Sequence, residues 1–192
     1  MNATETEVGR VFLFSGHMID APGRASPRFP PDQEPIAAAA IADQLRELAA
    51  GPGDRAVSGA ACGGDLLFAE AALALGVHLD LYLAFDEQQF LEESIDFANA
   101  DWHARYLAAK AQAALHIAPL ELGPLSAGED PYERANRWML DEAGRSGPGK
   151  VECIVLWNGE GGDGPGGTHD MMETVRKAGG RVHWLNTKQL WR

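Results

Sequence analysis

A chain of 192 residues is long enough to bury the core of one compact domain and too short for two of ordinary size. Its 45% hydrophobic and 23% charged residues are those of a globular protein, which excludes disordered, collagen-like and coiled-coil classes. Sixteen basic against 28 acidic side chains leave a net charge of −12, so a nucleic-acid backbone or an anionic membrane would be repelled, and a small molecule or a protein is the expected partner.

In chain order, short apolar runs alternate with amphipathic stretches, the pattern of an α/β domain with a mainly parallel sheet. The first strand is expected over 11–14 and ends in Ser15-Gly16-His17. A loop rich in Pro and Arg follows from Asp20 to Pro35, then an Ala-rich helix over 36–50, closed by Gly51-Pro52-Gly53. A second strand, 55–58, turns through GAACGGD into a helix over 66–75 that Gly76 stops, and 77–85 alternates as a third strand. Asp86 is a candidate N-cap for one or two helices within 87–114, where Leu91, Ile95, Trp102, Tyr106 and Leu107 are expected to be buried. A fourth strand over 115–118, a helix over 131–143, a strong strand over 152–157, a helix over 168–178 and a last strand over 181–185 complete the pattern. Residues 1–9 are read as a flexible N-terminus and 10–192 as a single Rossmann-like, doubly wound domain with helices on both faces of the sheet.

The N-terminal MNATETEVGR is polar and acidic, and no apolar run approaches about 18 residues, so a soluble, cytoplasmic protein without a membrane partner is expected. Cys62 and Cys153 show no metal-ligand spacing and are too few for a disulfide framework, which fits a reducing compartment.

In open α/β sheets ligands collect where loops leave the carboxyl ends of strands and enter helices. Three loops have that placement. The last, Asn158 to Gly167, carries six glycines before a helix start at Thr168, the expected N-cap, so its backbone N–H groups can approach a phosphate closely. Its G-x-G-x-x-G spacing matches a dinucleotide fingerprint, yet Asn186 stands where an acidic ribose ligand is required. The middle loop leaves room for a ligand against Gly59, Ala61 and Gly63, with Asp65 either capping the helix or binding a ribose hydroxyl. Cys62 has no base beside it and reads as a small packing residue of that turn. The first loop brings Ser15 and His17 to a strand end and places Arg24 and Arg28 on a Pro-stiffened segment, either as an anion-contacting lid or as a solvated loop.

Two patterns carry no chemistry. Gly144 to Lys150 has phosphate-loop spacing, but Val151 replaces the Ser or Thr that binds Mg²⁺ and the segment enters a strand rather than leaving one. The six histidines lack ligand spacing, so neither a metal nor a cofactor is implied.

Four segments, FSGHMID, AVSGAACGGDLLFAEAALALGV, RANRWMLDEA and IVLWNGEGGDGPGGTHDMMETVRKAGG, span most of the chain, and in order and spacing it resembles the SLOG superfamily. This is the Rossmann-like group named after the DNA-processing protein A (SMF) and LONELY GUY families. The resemblance implies that Ser15, Gly16, Gly59, Ala61, Gly63, Asp65, Gly166, Gly167 and Thr168 surround a nucleotide or nucleotide-derived ligand. Asn136 matches an Asn that some members place before the penultimate strand. His17, Arg24, Arg28, Cys62, Asn158 and Asp170 complete the candidate ligand-binding set.

The phosphoribohydrolases of that group cleave a base from a nucleoside monophosphate with an Arg and an acidic residue near P-G-G-x-G-T-x-x-E. Here Gly164-Pro165-Gly166-Gly167-Thr168 is one residue shorter, and Asp65 stands where the hydrolases are more apolar. The expectation is therefore a nucleotide-binding sensor domain in signalling or defence. The alternative is N-glycosidic hydrolysis with Asp170 or Glu173 at the sugar and Arg24 or Arg28 on the phosphate. A homodimer is a family-level expectation, and a plain interaction module is the third reading.

Overall fold

The computed structural model describes residues 9–98, 100–161 and 167–192. Six strands form one sheet: β1 (Val11–Gly16), β2 (Arg55–Ser58), β3 (His78–Leu83), β4 (Ala114–Ile117), β5 (Val151–Trp157) and β6 (Arg181–Asn186). Their spatial order is β4-β3-β2-β1-β5-β6, and every pairing is parallel. The helices are α1 (Glu34–Glu47), α2 (Gly64–Ala74), α3 (Glu87–Ser94), α4 (Ala100–Lys110), α5 (Ala118–Glu121), α6 (Pro131–Gly144), α7 (Thr168–Lys177) and α8 (Thr187–Leu190). This is the doubly wound α/β domain expected from the sequence, and among the described residues no helix is long and apolar enough to cross a membrane.

Both faces of the sheet are covered, and the central strands show why. In β1, Phe12 and Phe14 enter a core built with α1 to α4, while Val11 and Leu13 enter a second core with α6 and α7; all four are fully buried. A strand buried on both sides reads as a continuous apolar run rather than an alternating one. On α1 the core positions are Ala37, Ile41 and Leu45, one turn apart. Winding from β1 toward β4 uses one face and winding through β5 to β6 uses the other, so the chain reverses direction between β1 and β5.

Several boundaries move. The first helix starts at Glu34, two residues before the expected position, because Pro31–Gln33 forms a 3₁₀ turn that feeds it with Pro35 in its first turn. The 87–114 region is two helices, and Asp86 caps the first by accepting from the Gln89 N–H at 3.1 Å. Ile95, Trp102 and Tyr106 are buried as expected. Leu91 is only partly buried, and Leu107 is 48% exposed, a correction: it points away from the stripe that Trp102, Tyr106 and Ala109 present to the core. The N-cap of α7 is Gly167 rather than Thr168, with no side-chain cap bond. The one-turn helices α5 and α8 are too short to leave a periodic signal. The expected flexible N-terminus lies outside the described residues up to position 8, and Gly9 donates its N–H to the Gly53 carbonyl at 2.9 Å.

Charges buried in the sheet are paired. Asp80 takes Arg55 Nε at 2.5 Å and His116 Nε2 at 3.2 Å, and the 1%-exposed Glu152 takes both Arg181 and, at 2.8 Å, His183. Partnered carboxylates of this kind avoid the penalty of an isolated buried charge.

Candidate functional site

The carboxyl ends of β1 and β5 diverge at the reversal point, and a crevice of about 250 Å³ opens there. Ligand sites of open α/β sheets form at such switch points because adjacent loops leave in opposite directions. Ser15, Gly16 and His17 from β1, Arg28 from the following loop, Ala61 and Asp65 from the β2–α2 turn, Asn136 from α6 and Thr168 from α7 line it together. These residues are up to 153 positions apart in sequence: Ser15 Oγ lies 3.3 Å from Thr168 Oγ1. A pouch of about 50 Å³ continues inward past Asp65, between Gly59, Tyr82, Ala84 and Phe90.

The floor is held by backbone. Met18 and Gly63 form an isolated antiparallel bridge, with Ile19 N–H donating to the Cys62 carbonyl and Gly64 N–H to the His17 carbonyl, each at 3.1 Å. Gly63 sits at φ +100°, and a Cβ there would lie 2.4 Å from the Ile19 nitrogen, so only glycine fits. Gly16 is tight for another reason: its Cβ would meet the Phe14 ring at 2.8 Å. At Gly59 a Cβ would meet Asp65 Oδ2 at 2.8 Å, so glycine leaves the room in which that carboxyl lies under the turn.

His17 is a strut. Its Nε2 accepts the Asn158 N–H at 3.1 Å, tying the two strand ends. Burial, and then the Arg28 charge, lower its pKa to about 4, so the ring is neutral and an acceptor at physiological pH. Asn158 shapes the turn after β5, its Oδ1 accepting the Glu160 N–H at 3.0 Å, and does not line the crevice. Cys62 is fully buried, its N–H donating to the Ser94 carbonyl at 2.9 Å, and burial pushes the thiol up to about 12. It packs inside the turn and does not line the crevice.

Asp65 does not cap α2; Gly63 holds the cap position. The Asp65 side chain turns back so that Oδ2 accepts the Ala61 N–H at 3.2 Å, while Oδ1 has no partner among the described residues. Burial raises this carboxyl to about 7 against the single lowering bond from Ala61.

Arg28 is the cation of the crevice. Asp20 Oδ2 accepts the backbone N–H groups of Arg28 and Phe29 at 2.8 and 2.9 Å, and Trp191 Nε1 donates to the Arg28 carbonyl at 3.3 Å while its ring stacks on Phe29. The backbone is thus pinned and the side chain left over: its Nε is buried without a partner, and among the described residues no carboxylate pairs with the guanidinium. Burial and the neighbouring Arg24 both lower its pKa.

The three catalytic candidates lie elsewhere. Arg24 donates to the Ser26 carbonyl at 3.0 Å and pairs with Asp20 at 3.3 Å, over a separate concavity of about 420 Å³ walled by Pro22, Pro27, Pro30 and Pro31. That concavity is larger than the crevice, but its carboxylates Asp20, Glu34 and Asp101 are all paired with arginines. Glu173 pairs with Arg176 at 3.0 Å on the outer side of α7, and Asp170, also on α7, does not line the crevice. Gly166 lies outside the described residues, and Gly167 is the N-cap just behind Thr168.

Sequence reasoning missed Tyr132 and Met139, which line both crevice and pouch. Their signal was present: 132, 136 and 139 share one helical face, so singling out Asn136 nominates its neighbours one turn away. No protein-family model matches the chain, and no curated protein matches it either.

Proposed function

We propose that this crevice binds a nucleotide or nucleotide-derived ligand, as the resemblance to the SLOG superfamily implies, and that the domain acts as a ligand sensor. The observation that carries the reading is Arg28: an unpaired, partly buried guanidinium on a protein of net charge −12, beside the hydroxyls of Ser15 and Thr168 and the first turn of α7. A partly desolvated cation with no carboxylate of the described residues within ion-pair distance, and with Asp20 opposing its charge only from further away, is costly, and an anionic ligand relieves it; guanidinium binds phosphate in bidentate fashion. Helix N-termini add donors and a favourable dipole for the same group.

Hydrolysis fits less well, because Arg24, Asp170 and Glu173 do not line the crevice. The test is a thermal-shift panel of nucleoside monophosphates, dinucleotides, cyclic nucleotides and ADP-ribose derivatives, followed by chromatography of each mixture. A ligand that raises the melting temperature and is recovered intact supports a binding domain, since selective binding to the native state stabilises it by mass action. No shift with any member, or a shift unchanged in Arg28→Ala, refutes the assignment.

A further inference from the structure

One large aromatic at the rim of the crevice is held in place and left uncovered. Tyr132, in the first turn of α6, is 38% exposed and lines both the crevice and the pouch. Three contacts fix it. Asp130 caps the helix just before it, accepting the Glu133 N–H at 2.9 Å. The hydroxyl of the fully buried Ser94 lies 3.2 Å from the phenol oxygen, and the Phe85 ring meets the Tyr132 ring at 86° with centroids 5.2 Å apart. Ser94 is itself tied to the β2–α2 turn, its carbonyl accepting the Cys62 N–H at 2.9 Å. A hydrogen-bonded hydroxyl and a perpendicular neighbour together set the plane of the ring. Phe85 is the one ring packed against it among the described residues and covers at most one face, so the exposed remainder borders the crevice. An aromatic with few rotatable bonds, fixed in plane and uncovered, takes a second flat ring at little entropic cost.

We propose that Tyr132 is the platform on which the planar heterocycle of the ligand stacks, so that the site requires a flat ring in addition to an anion. Size puts that ring in the outer crevice. The pouch, at about 50 Å³, has room for one or two water molecules of about 30 Å³ each and for no purine, whereas the crevice offers about 250 Å³. Arg28, Ser15 and Thr168 line the same crevice, so a phosphate held there and a ring on Tyr132 belong to one ligand. Every base has a π-face, and stacking strength varies little with the pattern of groups on the base edge. Tyr132 therefore contributes alike to different bases, whatever contacts Asp65 and Asn136 add at their edges.

The inference rests on the nucleotide reading, so the test separates the two. Calorimetric affinities are measured for AMP, GMP and ribose 5-phosphate with the wild-type chain, Tyr132→Phe and Tyr132→Leu. The wild type is expected to bind each nucleotide about tenfold or more tightly than ribose 5-phosphate, the value of one base stacked on an aromatic side chain. Tyr132→Phe keeps the ring and loses only the bond to Ser94, so its nucleotide affinities stay within about threefold. Tyr132→Leu lowers AMP and GMP together by about tenfold and changes ribose 5-phosphate by less than about twofold. Cooperative unfolding of each variant verifies that it is folded, and general loosening of the site would weaken all three ligands equally. Equal losses for nucleotides and ribose 5-phosphate, a loss confined to one base, or unchanged nucleotide binding in Tyr132→Leu overturns the inference. So does a wild type that binds ribose 5-phosphate as tightly as AMP. If ribose 5-phosphate binds and neither nucleotide does, the inference fails while the anion site stands; if none of the three binds, the nucleotide reading fails and takes the inference with it.

Discussion

Gly63→Ala tests the frame on which the crevice depends. Gly63 has φ +100° and ψ −129°, a conformation open to glycine alone, so forcing alanine into it costs about 1–3 kcal/mol. The added Cβ also lies 2.4 Å from the Ile19 nitrogen and 2.9 Å from the Met18 carbonyl carbon, both backbone atoms that cannot rotate away. Relief requires the Met18–Gly63 bridge to open, weakening the 3.1 Å bonds from Ile19 N–H to Cys62 and from Gly64 N–H to His17, at about 1 kcal/mol net each. Together these give a loss of about 3–5 kcal/mol, or roughly 6–20 °C in melting temperature for a domain of this size. Urea unfolding is the assay, with a lowered midpoint at unchanged slope as the expected signature. Gly144→Ala is the control: its Cβ would meet nothing within 4 Å at the end of α6, and it should stabilise by about 0.5–1 kcal/mol. A Gly63→Ala loss below about 1 kcal/mol would refute the argument that this bridge is rigidly specified.

Arg28→Ala should weaken a phosphate-bearing ligand by about 10- to 100-fold, the value of a charge-assisted hydrogen bond, and Arg24→Ala by less than about threefold, because Arg24 is committed to Ser26 and Asp20; equal losses by calorimetry would show that the two arginines share the anion. Trp191→Ala removes the Phe29 stack and the bond to the Arg28 carbonyl, so it should cost about 2 kcal/mol in urea unfolding and also weaken ligand binding, although Trp191 does not line the crevice. Both thiols should react with a disulfide reagent only as the protein unfolds, since burial holds Cys62 and Cys153 at about 12; rapid labelling of the native chain would contradict the packing. Stability against pH should reveal two opposed titrations. Asp65, raised from 3.8 to about 7, holds its proton longer when folded and loses stability as pH rises through that window, whereas His17, lowered from 6.5 to about 4, loses stability as pH falls through its own. Asp65→Asn should therefore steepen the rise of stability between pH 4.5 and 6.5 by at most about 1.4 kcal/mol per pH unit, and an unchanged profile would count against the burial of Asp65.

The fold was legible because the central strands are apolar runs that only a sheet covered on both sides can bury, and because Gly53 and Gly76 punctuate the helices on schedule. Leu107 was misread since an apolar residue next to a core stripe looks like part of it when the partner surface is unknown. The site was legible only as loops. Ser15, Ala61, Asp65 and Thr168 sit at strand ends and helix starts, positions that topology brings together, so strand-to-helix reasoning found them. What separates Arg28 from Arg24 is different in kind: it depends on which guanidinium Asp20 and Ser26 engage, a fact of three-dimensional pairing with no local pattern. Asn158 was nominated as a ligand contact for its polarity, yet its side chain is spent on the turn after β5 and it does not line the crevice, whereas His17 ties β1 to β5 through Nε2 and still lines it.

The same distinction bears on whether the crevice cleaves what it holds. Departure of a base leaves positive charge on the sugar, and a catalyst answers it with an ionised carboxylate held close to the anomeric carbon. Among the described residues the carboxyl that lines the crevice is Asp65, and burial without a cationic partner raises it to about 7, so that its anion is the minor form below that pH. Below that pH such a group is poorly suited to stabilising an oxocarbenium ion. Incubation with AMP at pH 5 to 6 should therefore release no adenine above the protein-free rate. Steady release that rises with pH and vanishes in Asp65→Asn would show that the carboxylate, and not the acid, is the working form.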